Sequence, residues 1–571
     1  MTTPTSAPVI EAGVIEAGAA AASRNDTCNI AAALPACAAQ SPERVAMRCP
    51  GTRRSDGLAS YDVELTYGEL DRRSDAIAAG LAKRGIVRGT RTAVMVRPSP
   101  EFFLLMFALF KAGAVPVLID PGIDKRALRQ CLDEAEPEAF IGIPLAHIAR
   151  VVLGWAKSAR IRITTGRRAF LADDTLARVE RDGAGAPSQL ADTRPDEVAA
   201  IVFTSGSTGV PKGVVFRHRH FVAQIEMMGE AFGIAPGGVD LPTFPPFALF
   251  DPALGLTSVI PDMDPTRPAQ ADPVKLIDAI HRFGVDQLFG SPALMAVLAK
   301  HGQALPGVKR VTSAGAPVPP ETVAALRELL PRDAQFWTPY GATECLPVAV
   351  IEGRELQSTR AATEQGAGTC VGRAVERNEV RIIRIDDAAI EQWSDDLVLP
   401  AGVVGEITVA GPTATDSYFR RDAATRVAKI REVRGELDRI VHRMGDLGYL
   451  DGEGRLWFCG RKTHRVETAS GPLYTEQVEP VFNTHPKVRR TALVGTGAFG
   501  AQVPLLWVEL HEPRTAPAEC ERIAEELRTI GAQHAHTAGI ERIRFHPGFP
   551  VDIRHNAKIG REKLAAQAAR G

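Results

Sequence analysis

Up to about residue 369, apolar positions in the chain alternate between helical and strand-like spacing. Thr66-Tyr-Gly-Glu69 has the spacing of a capping box, a threonine at the cap and a glutamate three residues on. The helix it opens carries Leu70, Ile77 and Leu81 on one side and stops near Gly85. A strand follows at 92–96, a helix at 101–112 and, after Gly113, a strand at 115–119. The unbroken apolar run 102–110 lies between Glu101 and Lys111 and is too short to cross a bilayer, so it predicts a buried helix. The rhythm recurs from Val274, with a helix to Phe283, a strand at 287–289, a helix at 292–300 and a strand at 308–312. Such β–α–β alternation predicts an α/β fold whose mainly parallel sheets are covered on both faces.

Beyond residue 369 the texture changes to short alternating strands at 380–385, 405–409 and 455–458. They predict a small antiparallel sub-barrel closing the large unit. The Met444–Gly448 text reads as a Gly-Asp turn ahead of a hairpin at 451–454. The remainder has strands near 491–494 and 505–510 and a helix across 519–529, which suits a small α+β unit. The expected organisation is a flexible tail at 1–26, a large domain at 27–460, a hinge at 461–465 and a small mobile lid at 466–571.

Composition narrows the function. The formal net charge is −1 and the pI about 6.9, so there is no basic field and no nucleic-acid partner is expected. The eight cysteines are scattered without C-x-x-C or metal-like spacing, which suits reduced thiols in the cytoplasm. The N-terminal segment lacks a basic region followed by an apolar core, and no run is long enough for a membrane span; an integral membrane protein is not expected.

Candidate chemistry centres on a loop after the apolar run 198–203. It reads Thr204, Ser205, Gly206, Ser207, Thr208, Gly209, then Lys212. Glycines let backbone N–H groups approach a phosphate, hydroxyls add donors and the lysine adds charge. It is not a Walker A loop, because Lys212 stands between Pro211 and Gly213. Further along stand Tyr340-Gly341-Ala-Thr343-Glu344, Asp446 within the Gly-Asp text, Gly460-Arg461 after the hairpin, and Asn556-Ala-Lys558. Cys345 has no local base and reads as a small buried hydrophobe. His218 and His220 read as a polar helix start, without a third ligand for a metal.

In this order and spacing the segments resemble the adenylate-forming superfamily of acyl-CoA synthetases, peptide-synthetase adenylation domains and luciferases, over nearly the whole chain from about Ser41. The resemblance implies ATP and Mg²⁺ as cofactors. It implies that Glu344 holds the metal, Thr343 contacts the α-phosphate and Tyr340 packs against adenine. Gly315, Ala316 and Pro317 would line the other adenine face, Asp446 would accept from both ribose hydroxyls, and Arg461 would make a second ribose or phosphate contact. Lys558 would bridge carboxylate and phosphate during adenylation, and Phe244, Phe247 and Phe250 fall where the superfamily lines its acyl pocket, although a core role suits them almost as well.

Departures from the acyl-CoA ligase pattern fall on its thiol-handling face. Thr463 stands where an Asp or Lys is usual, Ser470 where a glycine is usual, and 552–558 replaces the customary Pro-Lys-Thr-x-Ser-Gly-Lys. These features resemble a branch of the superfamily that closes β-lactones from long-chain 2-alkyl-3-hydroxy fatty acids in olefin biosynthesis. That resemblance implies a fatty hydroxy acid as the small-molecule partner, and assembly with a β-lactone decarboxylase and a ketoreductase. A long-chain acyl-CoA synthetase and a non-catalytic nucleotide-binding regulator are the alternatives.

Overall fold

The computed structural model describes residues 27–120, 122–204, 211–551 and 559–570. The capping box forms as read. Thr66 Oγ1 accepts from the Glu69 N–H at 3.2 Å, and Glu69 Oε2 accepts from the Thr66 N–H at 3.0 Å. The helix it opens, Tyr67–Ala82, packs beside the helix Pro100–Lys111, whose phenylalanines, leucines and Met106 are all buried. One apolar core joins these helices to Met47 and Leu65 of a nine-stranded sheet and to Ala139, Ile141 and Ile163 of a seven-stranded sheet, so the run 102–110 lies between two sheets. Lys111 is itself fully buried, and its Nζ meets Asp71 Oδ1 at 2.6 Å and Asp75 Oδ1 at 2.8 Å. A buried ammonium needs such partners, and these two bolt the helices together.

The seven-stranded sheet runs in space from Asp174–Thr175 through Ile161–Thr164, Ala139–Gly142, Arg91–Met95, Val115–Ile119 and Val198–Thr204 to Lys212–Arg217. All pairs are parallel except the last, which folds back antiparallel with Thr204 opposite Lys212. The nine-stranded sheet contains Val239–Pro242, Gln287–Gly290, Arg310–Ser313 and Gln335–Ala342 as parallel neighbours. The strands expected after residue 369 form a six-stranded antiparallel sheet.

The C-terminal region has its own core around Val478, Phe482, Leu493, Leu506 and Leu527. Three strands, Val488–Thr496, Val503–Leu510 and Arg542–Phe545, carry the helices Thr475–Phe482 and Pro517–Gly531. Leu564 and Ala568 seat the last helix, Arg561–Arg570, against Ala492, Leu505, Trp507 and Phe549. The molecule is thus an α/β fold with a smaller β/α region at its C-terminus. In the stretch that joins the two, Lys462 is buried. Its Nζ lies 3.1 Å from Glu406 Oε1 and donates to the Asp386 carbonyl at 2.9 Å. Arg465 meets Asp387 at 2.5 Å, where the Asp387 side chain is largely exposed.

Candidate active site

Strand ends of both large sheets point into one cavity of about 2260 Å³ that also reaches the six-stranded sheet and the C-terminal region. A crevice at the carboxyl ends of parallel strands is where open α/β sheets usually bind ligands. Thr204, Lys212, Gly315, Ala316, Pro317, Tyr340, Gly341, Thr343, Glu344, Asp446 and Arg461 all line it, as do Phe244, Phe247 and Phe250. Ser205, Gly206, Ser207, Thr208, Gly209 and Lys558 lie outside the described residues, as does the tail 1–26. The flanks of the Lys558 segment, Val551 and Ile559, pair with each other and line the cavity.

Local folding explains how each side chain arrives. Gln335–Ala342 turns back into Cys345–Glu352 with Ala342 paired to Cys345, so Thr343 and Glu344 form a two-residue hairpin turn at the cavity wall. Gly315 follows the strand Arg310–Ser313 with a φ of +99°, a conformation that side-chain-bearing residues rarely adopt. Gly213 lets its strand approach closely, because a Cβ there would lie 2.9 Å from Phe203 Cζ.

Two expectations change. Asp446 is not in a turn; it lies within the strand Leu437–Leu450. In the pairing with Gly405–Ala410, Glu406 faces Leu447 and Thr408 faces Arg443, leaving residues 444–446 opposite Ile407 alone. This is a bulge, with Gly445 at φ +67°. Local sequence reads such a glycine as a turn; strand pairing on both sides makes it a kink instead. The second change concerns His218 and His220. They do begin a helix, His218–Phe232, but both rings are buried rather than part of a polar start. Burial pushes their pKa values down to about 4 and about 3, so they add no positive charge. The neighbouring Arg217 and Arg219 are both held by Asp416 at 2.6 Å.

The polar groups of the site are linked. Tyr340 donates its phenol to Asp446 Oδ2 at 2.7 Å, and Arg461 Nη1 lies 2.9 Å from Asp446 Oδ1. Burial pushes the Asp446 carboxyl above its ordinary range, opposed by Arg461 and by the Tyr340 hydrogen bond. Tyr418, which the sequence reading missed, donates to Glu344 Oε1 at 2.5 Å, and the Lys212 ammonium stands 5.0 Å from its ring centroid. Behind it, Thr415 binds the Glu344 carbonyl with its N–H at 2.8 Å and its hydroxyl at 3.0 Å. Lys429 Nζ donates to Thr415 Oγ1 at 3.2 Å, and burial lowers its pKa to about 8. No local motif marks Tyr418 or Lys429; the only signal was a tyrosine and a lysine in the strand-rich region after residue 369.

Cys345 is buried, and desolvation pushes its thiol up to about 11, which suits a packing role rather than a nucleophile. Phe250 belongs to the main core and also lines the cavity, so its packing and lining roles coincide. Phe247 stacks edge-on against Phe244 and Phe289 beside it. The cavity therefore joins an aromatic, apolar lobe to a cluster of two carboxylates, an arginine and a lysine. Such a pairing can hold an apolar acid next to a polyphosphate.

Residues 34–419 match the family described as AMP-binding enzyme. The chain is 72% identical over 543 residues to an olefin beta-lactone synthetase of Xanthomonas campestris pv. campestris, covering 95% of this chain and 98% of that protein. It is 70% identical over 548 residues to an olefin beta-lactone synthetase of Stenotrophomonas maltophilia, covering 95% and 99%. Among solved structures it resembles the amide bond synthetase McbA from Marinactinospora thermotolerans, with a TM-score of 0.75 and 22% identity over 95% of this chain and 100% of that one.

Proposed function

Because the chain belongs to the AMP-binding enzyme family, we propose that it is an ATP-dependent β-lactone synthetase acting on long-chain 2-alkyl-3-hydroxy fatty acids. The observation that carries the reading is the near-full-length similarity to two olefin beta-lactone synthetases. The cavity supports it by placing Phe244, Phe247 and Phe250 in one space with the groups assigned to the nucleotide.

In the first half-reaction the substrate carboxylate attacks the α-phosphorus of ATP, forming an acyl-adenylate and releasing pyrophosphate. Both reactants are anionic, so fixed positive charge is needed. Lys212 and Arg461 supply it from the described residues, and Lys558 is assigned to the same step. Tyr340 and the Gly315–Pro317 turn hold the adenine, and Asp446 accepts from the ribose hydroxyls once its bonds to Tyr340 and Arg461 rearrange. Glu344 offers Mg²⁺ a hard oxygen ligand. No cluster of three or more candidate metal ligands exists among the described residues, so phosphate and water oxygens would complete the shell. Bound there, the ion would offset phosphate charge.

In the second half-reaction the 3-hydroxyl oxygen attacks the acyl carbonyl carbon, the bond from that carbon to the AMP oxygen breaks, and the hydroxyl proton is lost. The product is a four-membered lactone. The nucleophile is already tethered, so no thiol is required. We place the enzyme in the cytoplasm, in assembly with a β-lactone decarboxylase and a ketoreductase; its cysteines are all free, as a reducing compartment requires.

The test is product identification by NMR after incubation with ATP, Mg²⁺ and a 2-alkyl-3-hydroxy acid, with and without CoA. A β-lactone formed at equal rates in both is expected. A thioester as the only product, dependent on CoA, would restore the acyl-CoA synthetase reading.

A further inference from the structure

The helix Pro144–Leu153 carries apolar side chains on both faces, with the fully buried His147 bonded to the Ile163 carbonyl on the inner one. Its inner residues Ala146, Ala149 and Leu153 pack with Phe140 and Trp155. Its outer residues do not pack: Leu145, Val151 and Val152 are 60%, 53% and 75% exposed, and Ile148 is exposed beside them. The loop after the strand Ile161–Thr164 lies along this helix. Gly166 approaches Pro144 so closely that a Cβ would come within 2.6 Å of its ring, and Arg150 Nη2 donates to the Leu171 carbonyl at 3.2 Å. That loop carries Arg167-Arg168-Ala-Phe170-Leu171, all exposed, with Phe170 at 61%. Four aliphatic side chains, a phenylalanine and a leucine thus share one surface with two outward arginines. Neither arginine has an ion-pair partner among the described residues.

The patch meets the active-site cavity at Leu145, which is exposed and also lines the cavity, while the inner residues Ala146, Ala149 and Trp155 line the cavity from the helix's other side. Contiguous exposed apolar surface marks an interaction site. Aliphatic and aromatic side chains next to arginines match the chemistry of an anionic lipid surface, where apolar groups enter the acyl boundary and arginines meet the headgroups. We infer that the helix Pro144–Leu153 and the Gly166–Leu171 loop form a docking surface for an anionic phospholipid membrane, adjoining the substrate cavity at Leu145. A protein partner would satisfy the apolar side chains, but it would not explain why the patch adjoins a cavity for fatty chains. That last argument rests on the fatty-acid reading above; the test does not, because it is run without substrate.

The experiment is flotation of the full chain with phosphatidylcholine vesicles, with and without phosphatidylglycerol. The wild type is expected to float with the anionic vesicles. Val151→Asp with Val152→Asp should weaken that partitioning by roughly tenfold, and Phe170→Ser by less. Arg167→Glu with Arg168→Glu should abolish the preference for anionic over neutral vesicles, at roughly fivefold or more per arginine. Thermal melts within about 2 °C of wild type would confirm folding, since these are exposed positions. Wild-type protein that stays unfloated, as it would if the patch served a protein partner, would overturn the inference. So would folded variants that float as wild type does.

Discussion

At the scale of single residues, the arrangement around Glu344 separates chemistry from positioning. Glu344→Ala is expected to reduce pyrophosphate release by roughly a thousandfold while the thermal midpoint stays close to wild type, because the residue forms a turn at the cavity wall. Turnover near wild type in a folded variant would remove it from the reaction. Tyr418→Phe keeps the ring under Lys212 but deletes the hydrogen bond to Glu344 Oε1. Losing a bond to a charged group costs about 1.5–3 kcal/mol, so kcat/KM should fall about tenfold or more. If Tyr418 acts through Glu344, Tyr418→Phe should cost nothing further in a Glu344→Ala background. Additive losses in that cycle would show that the two act separately. The motif residues were legible because hydroxyls, glycines and acids clustered in short loops carry their chemistry in their type. Tyr418 was not, since it reaches Glu344 from 74 positions away and no local spacing records the contact.

At the scale of elements, the last helix is held by one buried ion pair and one patch of core. Arg561 Nη1 meets Glu479 Oε1 at 2.5 Å, and Trp507 donates to the Leu564 carbonyl at 3.2 Å. Arg561→Met leaves Glu479 buried without its partner, which should cost about 3–5 kcal/mol when that carboxyl is charged. Burial already pushes Glu479 from 4.5 up to about 7 with Arg561 present. A carboxyl raised in the fold favours the folded state most below its unfolded pKa and loses that contribution as pH rises through the folded one. Without the arginine the folded value climbs further. The gap in melting temperature between variant and wild type should therefore be small at pH 5 and large at pH 8; a pH-independent gap would mean that packing alone is lost. Elements themselves were read well where side-chain periodicity and a cap agreed, as at Thr66 and in the helix Pro100–Lys111. The strand Leu437–Leu450 was hidden because Gly445 and Gly448 look locally like a turn, while the strand's partners on either side of the Gly445 kink come from Lys429–Arg434, Gly405–Ala410 and Leu456–Arg461.

Across the whole molecule, the cavity is walled by both large sheets, the six-stranded sheet and the C-terminal region, so no single unit contains the site. Lys558→Ala should then block adenylation from acid and ATP yet spare lactone closure from a synthetic hydroxyacyl-adenylate. Equal loss in the two assays would defeat that division of labour. The connection between the regions has a further consequence. Lys462 is tied into the dry interior by Glu406, whereas Arg465 grips Asp387 at the water boundary. A turn of the C-terminal region about residues 463–464 would leave the first pair intact but would break the second, along with the Arg465 bond to the Lys462 carbonyl and the Thr369–Glu476 hydrogen bond. Exposed pairs weaken as ionic strength rises, while buried ones barely respond. We propose that residues 463–464 act as a pivot between the two regions: the Asp387 end of the Arg465 pair is open to water, so between about 0.05 M and about 0.5 M salt the distribution of inter-region distances should broaden.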